Sequence, residues 1–266
     1  MKALRGLLAA IALCAALGSA QAERSCEARL PDTANVQRGL ELAASTARAL
    51  DASGARVVAL SRAGQDLSRY GLRWSHFGWA YKAPAADDPQ REVWRVVHKL
   101  NQCGAASADV YRQGLAEFFL DDPFEYRAAF AVPSAEVQAR LLAVLQDQRR
   151  VTQLHQSAYS MVAYPWAQTY QQSIQWAIET LASAQDDGAT TRERAQAWLM
   201  LKGYEPSTLR IDAFTRLGAR MTAANIAFDD HPNSKRFSDR IETVTVDSVF
   251  AWLERTGLAG HAQEIR

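Results

Sequence analysis

The chain has 266 residues, 48% of them hydrophobic, enough to bury a sizeable core in one domain. Thirty Lys and Arg face 29 Asp and Glu, a formal net charge of +1, and no basic run is interleaved with aromatics. That balance provides no field to follow a phosphate backbone and excludes nucleic acid as a partner.

Met1 to Ala22 begins with Lys2 and Arg5, continues with an apolar run from Leu7 to Leu17 and ends Ala20-Gln21-Ala22. This is the layout of a secretory signal cleaved before Glu23. The run is too short to span a bilayer, which takes about 20 apolar residues, and no later stretch is long enough to be a transmembrane segment. The expectation is one domain over residues 23–266, periplasmic or secreted. Cys26 and Cys103 remain after cleavage, and an even pair in an exported chain reads as a disulfide.

Apolar residues at helical spacing predict a helix from Val36 to Leu50, and Val57-Val58 centre a strand over Ala55 to Leu60. Trp74 to Tyr81 and Val93 to Leu100 read as two strands of a hairpin, joined through Pro84, Asp87, Asp88 and Pro89. A helix is expected over Ser107 to Leu120, a strand over Tyr126 to Val132, and a long helix opened by Pro133-Ser134 and reaching Leu154. Short strands are expected at Tyr159 to Val162, Asn225 to Phe228 and Ile241 to Val246. Helices are expected over Ser173 to Ala184, from a capping box at Thr190 and Glu193 to Gly203, over Ser207 to Leu217, and over Asp247 to Gly257. Strands separated by helices, with one clear hairpin, indicate an α+β fold with an antiparallel sheet packed on helices.

Of five histidines, His155 and His261 sit in polar segments and are set aside. His76 and His98 lie in the two strands of one hairpin, where antiparallel neighbours bring side chains together and one imidazole can orient the other. They can equally be half-buried residues on a wet face. Asp229-Asp230-His231 offers metal-ligand types without a second cluster to close a site, and reads as an exposed loop. Asp121, Asp122 and Glu125 read as a solvated helix end. Trp74, Trp79, Trp94, Trp166 and Trp176 are either core residues or the lining of a groove.

The stretch Arg69-Tyr70-Gly71-Leu72-Arg73-Trp74-Ser75-His76-Phe77-Gly78-Trp79-Ala80 resembles the His-bearing strand of circularly permuted papain-like proteins of the NlpC type, which include the lecithin retinol acyltransferase-like enzymes. In that group a nucleophilic Cys follows later, at the start of a helix. Tyr170 to Glu179 stands at that place, with Ser173 where the family has Cys. As a whole the chain resembles the bacterial domain of unknown function numbered 2145. The resemblance implies a catalytic set of His76 as base, His98 as orienting residue and Ser173 as nucleophile. Ser173 also reads as a plain helix N-cap. Cys103, just after the second strand, is an alternative nucleophile that a disulfide would silence. Two functions follow: an amide or ester hydrolase or acyl transferase, or a catalytically degenerate protein of the same fold that binds a cell-envelope ligand (peptide, glycan or acyl group). Neither calls for a cofactor or a metal.

Overall fold

A computed structural model describes residues 32–121 and 123–266. The expected signal, its cleavage site and Cys26 lie outside the described residues. The architecture is α+β. Six strands form one sheet in the order β4-β3-β2-β1-β5-β8, each pair antiparallel. The elements are α1 (Thr33–Ala52), β1 (Val57–Arg62), β2 (His76–Pro84), β3 (Glu92–Asn101), β4 (Ala108–Gly114), α2 (Leu115–Phe119), β5 (Ala128–Ala131), α3 (Ala135–Gln146), α4 (Gln148–Thr152) and α5 (Ser173–Gln185). There follow α6 (Arg192–Leu201), β6 (Ser207–Arg210), α7 (Ala213–Thr222), α8 (Asn233–Arg236), β7 (Arg240–Thr243), α9 (Val246–Arg255) and β8 (Gln263–Ile265). A short 3-10 turn spans Ser68–Tyr70, and β6 pairs with β7 in a separate two-stranded sheet.

Successive side chains of a strand point to opposite faces, so the sheet divides its core in two. Phe77, Trp79, Tyr81 and Val97 enter the larger cluster with Leu141 and Leu145 of α3 and Trp176, Ile178 and Leu181 of α5. Ala80, Trp94 and Val96 enter a second cluster with Leu42 and Leu50 of α1 and Phe118 and Phe119 of α2. Strand β1 lies between these layers and is buried along its whole length. The Trp79 indole N–H donates to the Ala177 carbonyl at 2.9 Å, which pins α5 to β2. No described helix is long and apolar enough to cross a membrane.

The hairpin, the first and last helices and the α5 helix stand where the sequence places them. Five expectations are corrected. Residues 108–114 form β4, not the start of a helix, because the outer edge of the ten-residue β3 accepts it as a ladder partner from Asn101↔Ala108 to Arg95↔Gly114. Only Leu115–Phe119 is helical there. The long helix breaks at Asp147, whose carboxylate caps a new turn by accepting from Arg149 and Arg150 N–H. Residues 207–210 are a strand rather than a helix, with Asp212 capping α7 two residues later. The segments 159–162 and 225–228 join no strand ladder. The capping residue of α6 is Thr191, one place after the expected Thr190.

Candidate functional site

His76 opens β2 and His98 lies near the end of β3, and both are on the α2 side of the sheet. Their meeting depends on Gly78. The β2–β3 register, Trp79↔Val97 and Ala80↔Val96, continues to set Gly78 opposite His98. A side chain at Gly78 would place its Cβ 2.7 Å from Val96 Cγ1 and 3.0 Å from His98 Cβ. With that space empty, the His98 ring lies across the glycine and reaches the neighbour two residues along, His76. The rings stand 5.0 Å apart, edge to face, with His76 Nε2 2.7 Å from His98 Nδ1. Phe118 closes over both, at 5.5 and 5.3 Å.

The proton positions follow from the outermost partner. Gln113 Oε1 only accepts, so His98 Nε2, 2.8 Å away, donates to it. In a neutral ring His98 Nδ1 is then the acceptor, and His76 Nε2–H donates to it. Nδ1 of His76 is left holding the lone pair. Both rings are held neutral. Burial, then the Arg62 charge and then His98, keep His76 well below its ordinary value, and burial with Arg62 brings His98 down to about 4 despite Gln113 and Asp121. Arg62 itself donates to the Phe118 carbonyl and pairs with Asp121, its guanidinium 4.9 Å from the Phe118 ring centre. The set is a buried relay of fixed tautomer whose accepting end is His76.

Ser173 is placed elsewhere. It is the first residue of α5, 8% exposed, and α5 packs with the larger cluster on the other face of the sheet. Its hydroxyl bonds Tyr159, whose phenol burial pushes up to about 12. The expected set His76, His98 and Ser173 is therefore not gathered on one face: the structure joins the histidines and puts the sheet between them and the serine. The physical reason is the strand period of two, which turns His76 and His98 away from α5 while their neighbours Phe77 and Lys99 face it. Ser173 is not the helix cap either. Gln172 is, its side chain accepting from Ile174 N–H at 3.2 Å while its amide donates to Thr243 Oγ1 and the Val244 carbonyl.

Below α5 lies a polar core that the sequence did not announce. Lys99 Nζ donates to the Gln156 carbonyl, the Gln171 carbonyl and Gln171 Oε1 at 2.6, 2.9 and 2.8 Å. Burial, with the Arg192 charge, lowers its ammonium to about 7, against the pull of Glu179 and Asp109. Glu179, wholly buried, accepts from Gln171, Arg192 and Gln196. Every acceptor is met, so this core reads as a fastening of α5 to β3 and α6. The only sequence signal was a glutamine pair at 171–172 immediately before the helix.

The remaining candidates have structural places. Asp230 and His231 are buried rather than in an exposed loop: His231 bonds Asp230 Oδ1 at 2.9 Å and donates to the Glu242 carbonyl at 3.0 Å, while Asp230 Oδ2 accepts from Tyr164 N–H. Among the described residues no three His, Cys, Asp or Glu lie as a metal-holding group. Cys103 is in the β3–β4 turn, where Gly104 has φ 72°. Trp79, Trp94 and Trp176 are buried in the core rather than spread along a groove, while Trp74, buried as well, forms part of a cleft wall. A cleft of about 410 Å³ opens beside the start of β2, lined by Asp66, Leu72, Trp74, Phe124, Glu125 and Asp247 among others. Asp247 accepts from the N–H groups of Arg73 and Trp74, its other oxygen, Oδ2, is buried without a partner, and burial raises its pKa.

No curated protein and no solved structure matches the chain. A family model described as "Uncharacterized protein conserved in bacteria (DUF2145)" matches residues 49–253, a span that holds the whole sheet except β8 and both histidines, and the chain belongs to that family.

Proposed function

We propose that the protein is an exported, cell-envelope binding protein, a catalytically degenerate relative of the permuted papain-like arrangement. An antiparallel strand pair bearing two histidines, followed later by a helix, supports the papain-like relation. The observation that carries binding over hydrolysis is the separation of the histidine relay from Ser173 by the sheet. General-base catalysis needs the base within hydrogen-bond reach of the nucleophile or one water away. A relay held neutral on the α2 face meets no such partner in α5.

The ligand site of this reading is the cleft over Trp74. Its volume is in the range of small-ligand pockets, about 300–1,000 Å³. Asp247 Oδ2 offers a desolvated acceptor, Asp66 and Glu125 add acid, and Leu72, Trp74 and Phe124 add apolar surface. That chemistry fits an amine or amide N–H donor attached to a peptide or sugar.

The test has two arms. A fluorophosphonate probe leaves the protein unlabelled, and the thiol of Ser173→Cys is alkylated at a rate indifferent to His76→Ala. Labelling lost in Ser173→Ala would restore the hydrolase reading. Lysine-containing dipeptides and amino sugars raise the melting temperature of the protein but not of Asp247→Asn; an equal rise in both would remove the cleft from the proposal.

A further inference from the structure

The first two turns of helix α7 turn large apolar side chains outward. In a helix on a protein surface the apolar stripe faces the core and charge faces water. Here Phe214 and Leu217, three residues apart and so on one face, are 87% and 59% exposed. Arg216 is turned inward, its guanidinium 5.9 Å from the Phe228 ring centre and bonded to the Arg236 carbonyl. That bond fastens α8 to α7, and Phe237 at the end of α8 is 75% exposed. Three large apolar side chains are thus presented outward by two adjoining helices, Phe237 with the Arg236 guanidinium 5.5 Å from its ring centre.

The charge around them is one-sided. Neither α7 nor α8 contains an acid, and Lys235 and Arg236 belong to α8. In the β6–β7 sheet, Arg210 is paired directly with Arg240, both exposed. Like charges opposite one another in a ladder repel, and no ion pair to either arginine relieves them among the described residues. The acids near by are largely engaged: Asp212 caps α7 and Glu242 holds Lys235, leaving Asp239 exposed beside Arg240.

We infer that α7, α8 and the β6–β7 sheet form a surface that lies on an anionic bilayer. Phe214, Leu217 and Phe237 enter the headgroup boundary, and Arg210 and Arg240 meet lipid phosphates, which removes their mutual repulsion. Exposed aromatics rimmed by unpaired arginines match a surface that is apolar just below a layer of negative charge. A protein partner would need a pocketed acidic face to match both features. The inference is independent of the cleft and of the histidines.

Co-sedimentation of the protein with vesicles tests it. Phosphatidylglycerol–phosphatidylethanolamine vesicles at low salt are expected to take up the protein about tenfold better than phosphatidylcholine vesicles, with the difference reduced in high salt. Phe214→Ser with Phe237→Ser, and separately Arg210→Glu with Arg240→Glu, are expected to abolish the difference. Circular dichroism melting checks that each variant is folded. Equal uptake by both vesicle types, or uptake unchanged in both folded variants, overturns the inference. So does a dimer in sedimentation that the serine variant dissolves, which would give the face to a second copy of the chain.

Discussion

His98 is buried, neutral and bonded at both ring nitrogens, so charging it costs folding energy. Its folded pKa lies below the unfolded value, about 4 against 6.5. The unfolded chain therefore binds more protons between those values, and stability is full above pH 6.5 and falls as pH drops toward 4. From pH 7 to pH 5 His98 alone is expected to remove about 2 kcal/mol. His76, lowered in the same direction, adds to the loss. Urea unfolding at the two pH values measures it. His98→Gln should be less stable than the parent at pH 7 but lose less between pH 7 and 5; an equal loss would show that the ring is not held neutral. Gly78 governs the same geometry from the opposite strand. Gly78→Ala must displace Val96 or His98, a strain of about 1–3 kcal/mol, and by lifting the His98 ring should bring its pKa back toward 6.5 in an NMR titration.

Among the elements, α5 is held by charge and amide groups as much as by its apolar face. Glu179→Gln keeps the shape but leaves Arg192 buried without its counter-charge, a loss expected at about 3 kcal/mol or more in urea unfolding. A loss below 1 kcal/mol would mean that the carbonyls of Ala167, Gln168 and Tyr170 suffice to hold the guanidinium. The contrast between elements also explains what could be read in advance. The β2–β3 hairpin, α1, α5 and α9 carry strong local pattern, and they fold as that pattern dictates. Residues 108–114 carry Val110 and Tyr111 at a spacing that also suits a helix, and only the waiting edge of β3 decides for a strand. The pairing of His76 with His98 was legible because both histidines lie in one hairpin. The distance of Ser173 was not, because strand parity tells which residues share a face and nothing in a linear pattern says which helix covers it. Lys99 was missed for a related reason: a lysine becomes a core residue only when three carbonyl oxygens from distant segments meet it.

On the scale of the whole molecule, the sheet is a stack of antiparallel pairs whose two outer edges are treated differently. The β4 edge is short and polar, with Asp109, Tyr111 and Arg112 exposed, features that discourage pairing with another chain. Cys103 lies in the turn beside that edge, and the expected bridge from Cys26 would tie the N-terminal arm there. If the chain is exported as its first 22 residues lead one to expect, alkylation of protein isolated from the periplasm without reductant modifies neither cysteine, with mass mapping returning one linked peptide pair, Cys26 with Cys103; two alkylated thiols would refute it.

On the other side the outermost strand is β8, and the strand beneath it, β5, is only four residues long, apolar and buried throughout: Ala128, Ala129, Phe130 and Ala131. It is covered by β8, which returns from the end of the chain to pair Ala128↔Ile265, Ala129↔Glu264 and Phe130↔Gln263. Glu264 also joins Arg73 before β2 and Arg127 before β5, so the last strand links three parts of the sheet. Removing residues 261–266 would strip Ile265 from the second core and leave the β5 backbone unpaired beside apolar side chains, the kind of edge that recruits another strand. The truncated protein is expected to unfold at lower urea, by about 2–3 kcal/mol for one buried isoleucine and its ladder bonds, and to form oligomers on gel filtration at concentrations where the full chain does not. Arg127→Glu, which breaks the ion pairs to Glu125 and Glu264 but keeps the strand, should cost far less stability than the truncation and leave the elution volume unchanged. A truncated chain that stays as stable and as monomeric as the parent would show that β8 is an ornament on the edge and that α1, which lies against it, is what protects β5.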